Sequence, residues 1–83
     1  PVPQSLKNLK NINKEILSNK TITKFVHEKQ IILGKKGRIL LRPSGTEDLI
    51  RIMVESEDKA QVEEITENIA NKIIEQNDIF KNK

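Results

Sequence analysis

Two stretches near the middle of the chain alternate apolar and polar side chains with a period of two. Residues 38–42 alternate aliphatic with mostly basic residues, and residues 49–55 alternate β-branched aliphatic residues with longer or polar ones. This period is typical of β-strands with one buried face. Residues 43–48 join the two stretches, which predicts an antiparallel hairpin with a long loop. The predicted buried face consists of Ile39, Leu41, Ile50, Ile52 and Val54.

Two other stretches repeat apolar residues every three or four positions, which predicts amphipathic helices. The first spans residues 19–33, and Gly34 after it is a typical helix end. The second spans residues 58–76, where Asp58 and Gln61 form a capping box at the start. The apolar stripe of this second helix consists of Val62, Ile65, Ile69 and Ile73.

The start of the chain is less regular. Residues 4–11 fit an edge strand or an irregular extended segment, and residues 12–18 fit a short strand or a turn. We therefore predict an α+β fold of order β-α-β-β-α, with a single small antiparallel sheet of about three to four strands and two helices packed on one face. In this prediction residues 1–77 form one domain, and residues 78–83 are a frayed tail.

Composition limits the possible functions. The 83 residues suffice for one small domain, and the apolar fraction of 35% includes only two Phe and neither Trp nor Tyr. The lack of cysteine excludes disulfides, thiolate zinc sites and cysteine nucleophiles, and His27, the single histidine, cannot hold a metal alone. No apolar run approaches the ~20 residues of a membrane span, so we expect a cytoplasmic protein. The start at Pro1, without an initiator methionine, suggests a piece of a longer chain whose first residues are a former linker.

Two binding functions stay open for a domain with a formal net charge of +3. A small nucleic-acid-binding α+β module would suit the basic charge and the lysine-rich first half of the chain, but the chain lacks stacking aromatics and matches no RNA-binding motif. A protein-interaction domain would use the sheet face opposite the predicted helices. Its candidate contact residues are Leu40, Leu49 and Met53.

Residues 41–47, Leu-Arg-Pro-Ser-Gly-Thr-Glu, concentrate groups that bind an anion. Arg42 offers a planar fork that fits two phosphate oxygens, and the hydroxyls of Ser44 and Thr46 add donors. Gly45 can adopt a positive φ, which would turn consecutive backbone N–H groups inward as an anion nest. The sequence thus indicates a candidate phosphate-binding loop formed by Arg42, Ser44, Gly45 and Thr46.

Each of these residues also has a simpler interpretation. Pro-Ser-Gly is common in plain hairpin turns, and Arg42 can lay its stem along the sheet without binding a ligand. Arg51 either extends the anion site or is solvated. We expect Glu47 to pair with an arginine rather than act as a base, and His27 to have a structural role at or near the surface.

Residues 37–55, GRILLRPSGTEDLIRIMVE, closely resemble the C-terminal domain of the α-D-phosphohexomutases, and within that superfamily the bacterial phosphoglucosamine mutases. The likeness continues weakly into PQSLKNL near the start and into the last predicted helix. It implies that residues 1–77 are the phosphate-binding fourth domain of a four-domain enzyme, in which Arg42, Ser44, Gly45 and Thr46 contact the phosphate of a phosphosugar. A domain of a related phosphomannomutase or phosphoglucomutase is the alternative.

The resemblance also implies a reaction. Glucosamine 6-phosphate and glucosamine 1-phosphate would interconvert through a phosphoserine enzyme and a bisphosphate intermediate, for UDP-N-acetylglucosamine and cell-wall synthesis. In such enzymes the phosphoserine and Mg²⁺ lie in the first domain, and much of the sugar recognition lies in the third. The implied partners are the phosphosugar and the other three domains, with neither nucleic acid nor membrane among them. This chain alone would be inactive and would bind no metal.

One position departs from the family pattern. The family usually has proline after the glutamate of the loop, whereas this chain has Asp48. A carboxylate within a few ångströms of a phosphate repels it, unless the carboxylate points outward or pairs with Arg51 or a lysine. Without the proline, the empty loop is also expected to be more flexible.

Overall fold

Three antiparallel strands and two α-helices make up the fold in the computed structural model, which describes residues 2–82. The elements are β1 (Gln4–Lys10), α1 (Lys20–Leu33), β2 (Gly37–Pro43), β3 (Leu49–Ser56) and α2 (Lys59–Lys81). Short 3₁₀ helices lie on either side of α1, at Lys14–Ser18 and Gly34–Lys36. The predicted α+β class and the order β-α-β-β-α are confirmed. Within residues 2–82, no helix is long and apolar enough to cross a membrane.

The sheet has the order β1-β3-β2, so β3 is the central strand and pairs with both others. The apolar face predicted for β3 is the buried one, because Ile50, Ile52 and Val54 are completely inaccessible to solvent. Both helices pack on this face and leave the opposite face of the sheet uncovered. The core consists of Leu9, Ile12, Ile16, Ile22, Leu33, Ile50, Ile52, Val54, Val62, Ile65, Ile69, Ala70 and Ile73.

The segment after β1 differs from the prediction. Residues 12–18 form neither a strand nor a simple turn. The side chain of Asn13 accepts a hydrogen bond from the Glu15 N–H at 2.9 Å, and this cap starts a 3₁₀ helix that buries Ile16. The preceding segment does contain the predicted edge strand, β1, and Asn11 directly after this strand has a φ of 61°.

Helix α2 continues beyond residue 76, where the prediction ended it, and is helical through Lys81. Residues 78–81 of the segment predicted as a frayed tail, residues 78–83, therefore extend the helix by another turn. Residues 1 and 83, the first of the predicted linker and the last of the predicted tail, lie outside the described residues. The assignment of residues 1–77 to one phosphate-binding domain stays a prediction.

A buried amide near the end of α2 explains why this helix is longer than predicted. Asn77 is only 2% exposed. Its Nδ2 donates to the carbonyl oxygen of Asn11 at 3.3 Å, and its Oδ1 accepts from the Asn13 N–H at 3.1 Å. The amide therefore fixes the last turns of α2 to the segment that follows β1.

The outer edge of β2 is covered by a side chain of α1. The Nε2 of Gln30 donates to the carbonyl oxygen of Gly37 at 3.0 Å, and its Oε1 accepts from the Ile39 N–H at 3.1 Å. A further strand at this edge would bond to the same two backbone groups. The amide of Gln30 thus occupies the position of a neighbouring strand and protects the edge.

Candidate phosphate-binding site

The loop between β2 and β3 is held at both ends. The Ser44 N–H donates to the carbonyl oxygen of Leu49 at 2.9 Å, which closes the hairpin and leaves residues 45–48 as its tip. The carbonyl oxygen of Asp48 accepts from the Ile12 N–H at 3.1 Å, which ties the end of the loop to the segment after β1. The base of the loop is therefore fixed to the sheet, whereas its tip is exposed to solvent.

Pro43 occupies a position where the hairpin needs no N–H donor. Because Ser44 and Leu49 form a hydrogen-bonded pair, the alternation of the antiparallel ladder makes Pro43 and Ile50 a pair without hydrogen bonds. Proline is tolerated at such a position, and above all on an edge strand. The loop sequence and the ladder geometry therefore agree.

Arg42 and Arg51 lie directly opposite each other in the register of β2 and β3. Their neighbours along the strands face the core, so both arginine side chains project from the uncovered face of the sheet. Like charges placed directly opposite in a sheet repel each other. The two arginines line a depression of about 220 Å³ beside the loop, together with Pro43, Ser44 and Leu49.

Arg51 is held by a neutral side chain rather than by an acid. Its Nε donates to Oδ1 of Asn8 at 3.0 Å, and Asn8 is the residue opposite Arg51 on β1. Arg38, on the same face, has an acidic partner instead, with 2.8 Å between its Nε and Oε1 of Glu55. Arg51 is solvent-exposed and also lies beside the loop, and its part in an anion site stays a prediction.

The two acids of the loop lie apart from the arginines. The ion pairs within residues 2–82 are Lys7–Glu67, Arg38–Glu55 and Lys72–Glu75. The expectation that Glu47 pairs with an arginine is therefore wrong, and Glu47 is exposed at the tip of the loop. Asp48 lines a different depression, whose other residues are Asn11, Asn13, Phe80 and Lys81.

The tip of the loop makes a local turn. The Thr46 N–H donates to Oγ of Ser44 at 3.4 Å, a turn that serine commonly forms. Within residues 2–82, only Asn11 and Gly34 have a positive φ. Gly45 therefore lacks the positive φ that the predicted anion nest requires. A Cβ built on Gly45 would meet nothing within 4 Å, which leaves the space above its backbone open.

The uncovered face also carries an apolar row beside the arginines. Leu6, Met53 and Leu40 are opposite one another across the three strands. Leu6 is 62% exposed and Leu40 43%, while Met53 between them is only 6% exposed. Leu49, another residue suggested for protein contacts, is partly buried at the base of the loop, and His27 is exposed on α1.

Asn8 was not singled out from the sequence. Leu6 and Leu9 are three positions apart in β1, so the sequence does not tell which face of the strand carries Asn8. Its contact with Arg51 depends on the register between strands 43 residues apart, which the sequence does not reveal.

Comparison with known proteins identifies the family of this chain. The family model described as phosphoglucomutase/phosphomannomutase, C-terminal domain, matches residues 3–72. The chain belongs to this family. The phosphoglucosamine mutase of Rhizobium meliloti (strain 1021) is 44% identical to this phosphoglucomutase/phosphomannomutase C-terminal domain over 73 residues, which are 88% of the chain and 16% of that protein. The chain thus spans a small part of the length of such relatives, and the resemblance carried by residues 37–55 is confirmed.

Solved structures share the fold of this phosphoglucomutase/phosphomannomutase C-terminal domain. The N-acetylphosphoglucosamine mutase of Aspergillus fumigatus matches it with a TM-score of 0.77 and 21% identity, over 92% of this chain and 16% of that chain. A structure of the same enzyme in complex with GlcNAc-6P and magnesium matches with a TM-score of 0.70 and 22% identity, over 84% of this chain and 16% of that chain. At these identities the likeness establishes the fold alone.

Proposed function

We propose that this chain is the substrate-phosphate-binding domain of a phosphoglucosamine mutase, and that Arg42, Ser44, Gly45 and Thr46 bind the phosphate. The observation that carries the proposal is the register of β2 and β3, which sets Arg42 and Arg51 directly opposite each other at the base of the loop. Two guanidinium groups in these positions repel each other, and an anion between them would relieve that repulsion. A phosphate dianion suits this place because arginine binds phosphate through two parallel hydrogen bonds.

Each residue of the loop has a role in this proposal. Arg42 supplies the fork, and Arg51, held by a neutral partner, supplies a second positive charge. The hydroxyl oxygen of Ser44 accepts from the Thr46 N–H, so the hydroxyl hydrogen of Ser44 can be donated to the phosphate. Gly45 leaves its backbone open to close approach by the ligand. The hydroxyl of Thr46 adds a further donor.

The reaction of the whole protein is part of the same proposal. It interconverts glucosamine 6-phosphate and glucosamine 1-phosphate through a phosphoserine and a bisphosphate intermediate, in the cytoplasm, for UDP-N-acetylglucosamine and cell-wall synthesis. Within residues 2–82, no group of three or more His, Cys, Asp or Glu could hold a metal ion. In keeping with the resemblance to the family, we place the phosphoserine and the Mg²⁺ in another domain of the protein, and we expect this chain alone to be inactive.

A loop that recognises only phosphate suits such a reaction. The substrate must present either end of the sugar to the same phosphoserine, so its resident phosphate has to be held equally well in two orientations of the sugar. Residues around the sugar would oppose one of the two orientations, whereas Arg42 and the hydroxyls contact the phosphate alone. Movement of the domain would then close the site over the substrate and open it for release.

The identity of the sugar rests on the relatives rather than on this loop. The family description covers phosphoglucomutases and phosphomannomutases, which are the alternative parents of this domain. The 44% identity to the phosphoglucosamine mutase of Rhizobium meliloti favours glucosamine phosphate.

An amide NMR titration of this chain tests the phosphate site. Glucosamine 6-phosphate and inorganic phosphate are added separately to the ¹⁵N-labelled chain, and the shift of each amide signal is followed. We expect shifts centred on residues 42–46 and similar for both ligands, because the loop contacts the phosphate and not the sugar. The matched control is Arg38→Ala, since Arg38 lies on the same strand and face but pairs with Glu55. This control should titrate like the wild type.

The absence of shifts at millimolar ligand would contradict a site preformed in this chain. The Asp48→Pro variant then separates two causes. Shifts that appear in Asp48→Pro would show that Asp48 weakens the loop through its charge or its flexibility. A variant that also fails to titrate would show that the isolated chain does not bind phosphate.

A further inference from the structure

We infer that Asn8 is a positioning residue of the phosphate site, which orients Arg51 toward the phosphate without cancelling its charge. The inference rests on the proposed function, because it assumes that the loop binds phosphate. It follows from the hydrogen bond of 3.0 Å between Nε of Arg51 and Oδ1 of Asn8.

The register of the sheet sets the side chains of the uncovered face in rows across the three strands. One row is polar and contains the ion pair between Arg38 and Glu55, and the next is apolar. The row nearest the loop consists of Asn8, Arg51 and Arg42, in that order. Asn8 therefore lies beyond Arg51, on the side away from Arg42 and the depression.

The kind of partner matters for the charge that a ligand would encounter. Asn8 accepts a hydrogen bond through a neutral amide oxygen, so Arg51 keeps its full positive charge. Glu55 bonds to Arg38 through the same guanidinium atom, Nε, but it supplies an opposite charge. On the same face, the charge of Arg38, far from the loop, is neutralised by an acid, whereas the charge of Arg51, beside the loop, is not.

The position of the bond on the guanidinium also matters. Asn8 engages Nε, which leaves the two terminal nitrogens of Arg51 available to a ligand. A free arginine side chain loses rotamer freedom when it binds, and an arginine that is already held loses less. Asn8 also resists the repulsion from Arg42, which would otherwise drive the Arg51 side chain toward solvent.

A double-mutant cycle with inorganic phosphate as the probe tests this inference. The dissociation constant of phosphate is measured by NMR for the wild-type chain, Asn8→Ala, Arg51→Ala and the double variant. We expect Asn8→Ala to weaken binding several-fold, on the order of threefold to tenfold, as a coupled contact typically does. In the Arg51→Ala background, Asn8→Ala should change the affinity less than about twofold, because Asn8 acts through Arg51.

Two further variants separate positioning from a general effect on the fold. Asn8→Asp keeps an acceptor at the same place but compensates the charge of Arg51, so it should weaken phosphate binding more than Asn8→Ala does. Gln4→Ala lies on the same strand and the same face, opposite Glu55, and should bind phosphate like the wild type. The melting temperatures of all variants are measured alongside, and they should stay close to that of the wild type.

The outcomes distinguish this inference from the proposed function. If the wild-type chain does not bind phosphate, the proposed function fails and this inference fails with it. If the wild type binds and Asn8→Ala binds equally well, only the inference is overturned. An equal loss in both the wild-type and the Arg51→Ala background would also overturn it, because Asn8 would then act independently of Arg51.

Discussion

At the scale of single residues, the candidate site depends on which positive charges have an acidic partner. Arg38 and Arg42 are four positions apart on β2, and their side chains project from the same face. Arg38 bonds to Glu55, whereas no ion pair within residues 2–82 includes Arg42 or Arg51. Equal residue types on one strand are therefore expected to respond differently to substitution.

Arg42→Ala should strongly impair catalysis by the whole protein, of which we propose this chain to be one domain. We expect kcat/KM to fall by about 100-fold or more, which corresponds to about 2.7 kcal/mol of lost transition-state stabilisation. Steady-state kinetics of the full-length enzyme measures this effect, with Arg38→Ala as the control that should stay near the wild type. A value of kcat/KM within about threefold of the wild type for Arg42→Ala would reject its role in phosphate binding.

The stability of the domain should depend on a methyl group added at Gly37 but not on one added at Gly45. A Cβ on Gly37 would lie 2.5 Å from the carbonyl oxygen of Glu55, and this backbone atom cannot move without disturbing the sheet. We expect Gly37→Ala to lower the free energy of unfolding by about 1–3 kcal/mol, as overpacking does. Gly45→Ala meets nothing within 4 Å and should change stability by less than about 0.5 kcal/mol.

Urea unfolding of the two glycine variants and the wild type gives the comparison. Phosphate affinity is measured on the same samples, and Gly45→Ala should bind phosphate more weakly despite its unchanged stability. Equal stability of the two variants would contradict the steric argument for Gly37.

At the scale of elements, the last turns of α2 are held by an amide rather than by apolar packing alone. Asn77 bonds to the backbone on both sides of residue 12, and the Ile12 N–H in turn bonds to the carbonyl oxygen of Asp48. A continuous path of hydrogen bonds therefore connects α2 with the end of the loop between β2 and β3. Loss of the Asn77 amide should therefore affect both the last turns of α2 and the end of the loop.

Asn77→Ala should lower the free energy of unfolding by about 1–3 kcal/mol, because the Asn13 N–H and the Asn11 carbonyl lose their partner. Chemical denaturation measures the change. Asn71→Ala is the matched control, since Asn71 is exposed on the same helix and should give a change within about 0.5 kcal/mol. Hydrogen exchange at Ile12 should also accelerate in Asn77→Ala, and unchanged exchange there would contradict the connection to the loop.

The sequence predicted the elements whose pattern is local and missed contacts that depend on distant segments. The period of two in β3 was sufficient to identify Ile50, Ile52 and Val54 as the buried face, because their burial follows from the strand alone. The row of Asn8 with the two arginines was not predictable, because it requires the register between β1 and β3. The true end of α2 was missed because Asn77 is polar yet buried, which reverses the usual expectation for asparagine.

At the scale of the whole molecule, a domain of 83 residues has a small margin of stability, so a bound ligand changes it visibly. A ligand that binds only the folded state stabilises it by RT ln(1 + [L]/Kd). For a site with a Kd of about 1 mM, ~50 mM phosphate corresponds to about 2.3 kcal/mol. Stability should therefore report on the site without any assay of catalysis.

Phosphate should raise the melting temperature of the chain by about 10 °C under these conditions, since ~1 kcal/mol shifts the midpoint of such a domain by about 4–8 °C. Thermal unfolding by circular dichroism measures the shift, with sodium chloride at equal ionic strength as the reference. Because phosphate also stabilises proteins through exclusion from their surface, Arg42→Ala is measured in the same buffers. A shift as large in Arg42→Ala as in the wild type would assign the effect to exclusion and contradict the site.

The amide of Gln30 has a consequence for how the molecule behaves at high concentration. An open edge strand can act as a template on which further chains polymerise. At the β2 edge, an incoming chain would first have to displace the amide from Gly37 and Ile39, so it would exchange existing hydrogen bonds for new ones with little gain. The rotamer of Gln30 thus decides whether a strand from another chain can pair with β2, and the observed rotamer opposes self-association at this edge.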